Sequence, residues 1–273
     1  MVKDLIFILI FSFGMFSKNT AITKVDDAPV LQDAKRTVGN DTYLWTSFFN
    51  KKSNSYLISL LNDWNIKTLF LAVNPTMDLT KLQSFQILAH ENGIQVDFLI
   101  GENSYAEEED GYIHLEKVMI TGRDLGFKGI HLDIEPHTFD DYNDRIDAYS
   151  KMQINLFEKA KKWTDANGMD LSVSVPMYLP VKVARTLGKN GIVTHIMAYG
   201  NLDVAYKLEL TRKMRKVLKT NSRWVFELDD FADYKSFLVV QNQLIENGIT
   251  EFTFHDVEQM DKKKRRMLSL SPP

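Results

Sequence analysis

Beyond residue 40 the chain keeps returning to one phrase. A polar stretch with apolar residues at helical spacing leads to Asn or Asn-Gly, and then to a run of β-branched and aromatic side chains. The phrase stands at Asn65 (NIKTLFLAVN), Asn92-Gly93 (NGIQVDFLIG), Asn167-Gly168 (NGMDLSVSVP), Asn190-Gly191 (NGIVTHIMAY), Asn221 (NSRWVFELDD) and Asn247-Gly248 (NGITEFTFHD). Gly126 (GFKGIHLDIE) opens one more, and Thr42–Phe48 (TYLWTSF) predicts a strand ahead of them all. Gly and Asn tolerate the left-handed backbone that ends a helix, and Val, Ile, Phe and Thr favour the strand that follows. Helices are predicted between the strands, among them Ser55–Asp63, Leu79–Glu91, Tyr142–Ala166 and Ala205–Leu218. Eight strands alternating with helices over roughly 220 residues predict an α/β fold, a single (β/α)8 TIM barrel. A doubly wound open sheet is the competitor, but no Gly-rich phosphate loop follows the first strand.

The front of the chain reads differently. Leu5–Phe16 (LIFILIFSFGMF) is an unbroken apolar run after Lys3, followed by polar Ser17–Thr20. Twelve such residues make a helix of about 18 Å, short of a bilayer's hydrocarbon core of about 30 Å. Residues 1–21 are therefore expected to be a signal peptide of an exported protein, periplasmic or extracellular. Membrane contact is expected only through this segment if it stays uncleaved. Residues 22–40 are expected to be a linker, 41–261 the catalytic barrel, and 262–273 a basic tail carrying Lys262-Lys263-Lys264-Arg265-Arg266.

Composition narrows the chemistry. The formal charge is −3, so nothing asks for nucleic acid as a partner. Cysteine is absent, which removes disulfides, thiolate metal sites and a Cys nucleophile. No Gly-x-Ser-x-Gly elbow is present. His131, Asp133, His255 and Asp256 offer metal-ligand types, but the first strand lacks a His-x-His pair, so neither metal nor cofactor is expected.

In a barrel of this kind function lies at the C-terminal ends of the strands. The fourth strand, Gly129-Ile130-His131-Leu132-Asp133-Ile134-Glu135-Pro136, is the informative one. Alternation puts Ile130, Leu132 and Ile134 on one face, and His131, Asp133 and Glu135 on the other, which points into the barrel. Two carboxyls two residues apart cannot both ionise easily in a shielded site, so one proton is held near neutrality. Glu135 at the rim is then a candidate general acid with Asp133 as its partner, the equipment needed to protonate a glycosidic oxygen. His131 is expected to pair with Asp133.

GIHLDIE resembles the fourth-strand signature of the family 18 glycoside hydrolases, the chitinases and endo-N-acetylglucosaminidases, Asp-Gly-x-Asp-x-Asp-x-Glu. Its last two acids fall on Asp133 and Glu135, and its first two on Lys128 and His131. The family's Met-x-Tyr-Asp on the sixth strand is similar to Met197-Ala198-Tyr199-Gly200, with Gly200 for the Asp. Phe252-Thr253-Phe254-His255 stands where a Trp is usual. The resemblance implies substrate-assisted retaining hydrolysis. The substrate's N-acetyl group attacks the anomeric carbon, Glu135 protonates the leaving oxygen, Asp133 orients the acetamido group, and Tyr199 bonds its carbonyl.

Glu135-Pro136 also resembles the fourth-strand ending of the large retaining clan that contains many cellulases, whose nucleophile is a Glu ending strand seven. Glu227 holds that place here. A third alternative is a barrel that binds glycan without cleaving it. The expected substrate is an oligo- or polysaccharide. Further substrate-binding candidates at strand ends are Trp45, Asn74, Asp97, Tyr178, Met197 and His255, beside His131.

Overall fold

The computed structural model describes residues 40–107, 110–200 and 203–270. The expected signal peptide and nearly all of the linker lie outside these residues. Eight parallel strands close into a barrel in chain order, β1 beside β2 through to β8, and β8 pairs back onto β1 (Asp41 with Thr253, Thr42 with Phe254). The strands are β1 (Asn40–Leu44), β2 (Ile66–Ala72), β3 (Gln95–Ile100), β4 (Gly129–Leu132), β5 (Asp170–Pro176), β6 (Val193–Met197), β7 (Ser222–Glu227) and β8 (Phe252–His255). Around them run α1 (Thr46–Lys51), α2 (Asn54–Asp63), α3 (Leu79–Glu91), α4 (Gly111–Asp124) and α5 (Ile146–Ala166). They continue with α6 (Val181–Lys189), α7 (Val204–Leu218), α8 (Tyr234–Glu246) and α9 (Val257–Leu270). This is the (β/α)8 barrel predicted from the recurring phrase.

The phrase itself has a mechanical reading. Asn92, Asn167, Asn190 and Asn247 each follow the last residue of a helix. The glycines after them have φ between 65° and 78°, the left-handed turn that sends the chain back toward the next strand. At Asn65 no glycine follows, and the Asn itself takes the left-handed conformation, with φ 51°.

Two expectations are corrected at the ends of the barrel. The strand expected over Thr42–Phe48 begins at Asn40 and stops at Leu44, and Thr46–Lys51 is helical. A strand would send Phe48 and Phe49 to opposite faces; the helix buries both, with Phe49 edge-on to Phe85 at 5.3 Å. The expected basic tail belongs to α9, and its three lysines have partners. Lys263 is buried and donates from Nζ to the Phe231 carbonyl at 2.6 Å. Lys264 pairs with Asp63, and the buried Asp261 accepts from Tyr56 and Lys52. A domain boundary at residue 261 would cut through this packed helix.

Side chains alternate as a barrel demands. Leu69, Leu71, Phe98, Ile130, Leu132, Ile196 and Phe226 point outward into the shell beneath the helices. A smaller inner cluster holds Tyr43, Phe70, Leu99, Met197 and Val225. The rest of the lumen is polar, where branched apolar side chains are usual. Near the N-terminal ends of the strands, Arg223 joins the buried Asp41 and reaches Glu251 at 3.0 Å. At mid-height Tyr43, Ser174, His131 and Ser172 form one hydrogen-bonded chain with contacts of 2.7–2.8 Å. His195 Nδ1 meets Thr253 Oγ1 at 2.8 Å in the same layer. Every one of these groups sits in low dielectric, so each depends on its partners.

Candidate active site

The upper end of the lumen is built from β4, β6, β7 and β8. After Leu132 the chain follows the line of β4 a little further, and the Asp133 N–H donates to the Ile100 carbonyl at 2.8 Å. Pro136 then starts a single 3-10 turn, Pro136–Thr138. The Glu135 main chain is clamped from two sides. Asn103 Oδ1 accepts from the Glu135 N–H at 2.7 Å, Thr138 Oγ1 donates to the Glu135 carbonyl at 2.7 Å, and Asn103 Nδ2 donates to Thr138 Oγ1 at 3.1 Å. The local turn and the more distant Asn103 together fix where the carboxyl emerges.

Asp133 and Glu135 behave as a coupled pair. Burial raises the Glu135 pKa from 4.5 to about 7, and the Asp133 charge raises it further toward that value. Burial also raises Asp133 to about 6, opposed by the charge of His255 and by the Ser174 hydroxyl. Near neutrality the pair holds about one proton. Glu135 is the outer member, its side chain 26% exposed, so it can hand that proton to a ligand.

Tyr199 lies beside both. Its hydroxyl pKa is pushed far up by burial, then by Asp133, Glu135, Glu227 and Asp256, so it remains an O–H donor. His255 packs on the other side, with ring centroids 5.7 Å from Tyr199, 5.9 Å from Trp45 and 5.6 Å from Tyr43. Two buried polar atoms here lack a partner among the described residues, Asp133 Oδ1 and His255 Nδ1. Buried polar atoms are nearly always paired, so unpaired ones in a cleft mark where a ligand's polar groups fit.

Several expected site residues belong elsewhere. His131 is fully buried, and its two ring nitrogens meet Ser172 and Ser174 instead of Asp133. It stacks on Phe70 at 3.8 Å, and burial lowers its pKa to about 3, so it is a neutral core group beneath the site. Asp97 is also out of reach. It sits in the N-terminal half of β3, sealed, with Gln95 Nε2 donating to it at 3.0 Å, and burial raises its pKa to about 7. Asn74 is exposed in the loop after β2, where its Oδ1 accepts from Thr76 N–H and Oγ1 and closes its own turn.

The remaining candidates gather near the acids. Met197 and Trp45 belong to the apolar floor, Met197 in the inner cluster and Trp45 packed against it. Tyr178 follows β5, is 57% exposed, and meets His137 edge-on at 5.6 Å. Glu227 ends β7 and accepts from Gln259 Nε2 at 3.2 Å. Gln259 in turn accepts from the Asp229 N–H and donates from its own N–H to Asp256.

Sequence reasoning passed over His137, Asn103, Ser174 and Gln259. Three act from neighbouring elements, which local spacing does not reveal. His137 continues the alternating column His131, Asp133, Glu135, so that signal was available.

Among the described residues no group of three or more His, Asp or Glu is placed to hold a metal ion. No described helix is long and apolar enough to cross a membrane. A groove of about 530 Å³ opens at the opposite, N-terminal end, lined by Gln95, Lys128 and Asp170 among others. It contains none of the acid column.

No protein-family model matches the chain, and no curated protein does. Solved structures do share the fold. The chain superposes on the catalytic domain of a hyperthermophilic chitinase from Pyrococcus furiosus with TM-score 0.58 and 13% identity, covering 88% of this chain and 99% of that one. A chitinase-like agglutinin from Robinia pseudoacacia gives TM-score 0.59 at 11% identity, covering 83% and 98%. Catalytic domain 2 of an Ostrinia furnacalis group II chitinase gives 0.51 at 12% identity, covering 70% of this chain and only 64% of that one.

Proposed function

We propose that this barrel is a glycoside hydrolase acting on an oligo- or polysaccharide with N-acetylated sugars, with Glu135 as its proton donor. The observation that carries the reading is the acid pair in the mouth of the lumen. Glu135 is protonated to about neutral pH and partly open, above an unpaired oxygen of Asp133. The likeness to chitinase barrels supports it, as does the Pyrococcus furiosus enzyme's capture with chito-oligosaccharides.

The chemistry follows from what each group offers. An acetamido group needs an acceptor for its N–H and a donor for its carbonyl. Asp133 Oδ1 is a free acceptor, and Tyr199 keeps its proton as a donor. Held so, the acetamido oxygen attacks the anomeric carbon while Glu135 gives its proton to the leaving oxygen and the glycosidic bond breaks. Glu135, now a carboxylate, takes a proton from the water that opens the ring intermediate, and the acid is restored. Asp133 steadies the positive charge that develops on the acetamido nitrogen. His131 takes no part, because it lies beneath Ser174, neutral and sealed.

A binding-only barrel is the second reading. It is favoured by Lys128 and His131 at two of the four signature acid positions, and by the likeness to an agglutinin. The two-carboxylate scheme through Glu227 is the third, and Glu227 already carries a hydrogen bond from Gln259.

The experiment is release of reducing ends from a panel of chito-oligosaccharides and other glycans, by the wild type and by Glu135→Gln. Hydrolysis that Glu135→Gln abolishes while binding persists supports the first reading. Binding without hydrolysis supports the second. Covalent labelling of Glu227 by an activated fluorosugar supports the third.

A further inference from the structure

The turn that follows the acid pair does more than end a strand. Pro136 starts the 3-10 turn and folds His137 back, so that Nε2 lies 3.2 Å from Glu135 Oε2, within ion-pair reach but not aligned as a hydrogen bond. The ring is held by Tyr178 at 5.6 Å and Tyr142 at 6.4 Å, both edge-on. The His137 side chain is 14% exposed, and its Nδ1 is buried with no hydrogen-bond partner among the described residues. Glu135 Oε1, by contrast, bonds to no described residue and is not among the buried atoms.

We propose that His137 is a positioning residue that decides which Glu135 oxygen carries the acid proton. The neutral ring bears its hydrogen on Nε2 and, on turning slightly, donates it to Oε2, so the carboxyl proton sits on Oε1, the oxygen left open. The opposite tautomer would place an N–H donor at the sealed Nδ1, with nothing to receive it. Burial lowers the His137 pKa, which keeps the ring neutral. Nε2 can donate to the carbonyl oxygen of the acid and donates more strongly to the carboxylate left after proton transfer. The histidine proton stays in place through both half-reactions: the Oε1 proton goes to the leaving oxygen, and water returns one to Oε1. Hydrogen bonds between catalytic groups are often loose before substrate binds and tighten around it.

The assignment rests on Glu135 being the proton donor, and the tests keep the two claims apart. Titration of Glu135 is read by 13C NMR of its side-chain carboxyl in the full chain, the signal identified by its loss in Glu135→Gln. The other groups facing Glu135 are Asp133, Tyr178 and Tyr199, with Tyr142 behind the His137 ring. All are unchanged in the variants. Deleting the donor in His137→Phe raises the Glu135 midpoint by about one pH unit, because a bond that favours the carboxylate is lost. His137→Gln, whose amide nitrogen replaces Nε2, keeps the midpoint within about 0.3 of wild type. On a cleavable chito-oligosaccharide, kcat falls about tenfold in His137→Phe with KM nearly constant, and His137→Gln restores it. Nitrogen NMR of the wild type, which needs no variant, finds a neutral ring protonated at Nε2. A charged ring, the Nδ1–H tautomer, or equal Glu135 midpoints in wild type and His137→Phe overturns the proposal. If no glycan is cleaved by the wild type, the catalytic reading fails, and the titration and tautomer still decide the contact.

Discussion

Replacing Glu135 by Gln should make the protein more stable, and only above a definite pH. The carboxyl titrates at about 7 in the folded chain against an ordinary 4.5. A folded pKa raised above the unfolded one means that the native state binds more protons between these values. Stability from this group is therefore complete below about pH 4.5 and is lost as pH rises toward 7. The full difference corresponds to roughly 3.4 kcal/mol. The side chain is 26% exposed, so water screens part of it, and about 1.5 kcal/mol is the expected figure. Gln matches the protonated acid in shape and charge, so the variant and wild type should unfold alike at about pH 4. At about pH 8 Glu135→Gln should be more stable by that amount, raising Tm by roughly 3–6 °C for a barrel of this size. Urea unfolding at the two pH values measures it. An equal difference at both would refute the reasoning, since it would mean that the folded environment does not resist the Glu135 charge.

Other consequences are as direct. Asp133→Asn removes the charge that is second to burial in raising Glu135, so the alkaline limb of kcat/KM against pH should move acidward by about one unit, read on a chromogenic glycan. Tyr199→Phe should cost on the order of a hundredfold in kcat while leaving thermal stability nearly unchanged, because its hydroxyl has no hydrogen-bond partner among the described residues. His131→Ala should destabilise by about 3 kcal/mol in urea unfolding, stripping Ser172 and Ser174 of their common partner and opening a void beside Phe70. Arg223→Met should cost about 3 kcal/mol at pH 8 and less at pH 5, because it strands Asp41, whose pKa is already pushed up to about 6.

The barrel was legible because its turns are chemical. An Asn cap and a left-handed Gly recur at the returns to β3, β5, β6 and β8, and the outward faces of the strands are apolar at every second residue. The acid column was legible for the same reason, since alternation alone separates Asp133 and Glu135 from Ile134. What the spacing hid is sideways and vertical. His131 is claimed by two serines of β5, and no local pattern shows which neighbour a buried ring prefers. Asp97, expected within the third strand to help line the substrate cup, lies too low for it, because the strand's starting point, and so a residue's height in the barrel, is not written in its residues. Thr46–Phe48 had the composition of a strand, yet two adjacent phenylalanines both needed the shell, and a helix was the way to bury them. The basic run at the end read as solvent-facing, while Lys263 found a carbonyl inside.

A barrel whose middle is wired through Tyr43, Ser174, His131, Ser172, His195 and Thr253 ages differently from one filled with valine. Grease forgives exchange, for one aliphatic group can stand in for another with little more than a shuffle of neighbours. A relay of hydroxyls and imidazoles does not, because His131 and Ser174 each bond two others and the rest depend on a partner with which they must change in concert. In a saturation scan of this protein, the helical jacket should accept wide drift, while the axis of the barrel stays nearly frozen. Its identity would then be kept along a line a few side chains wide.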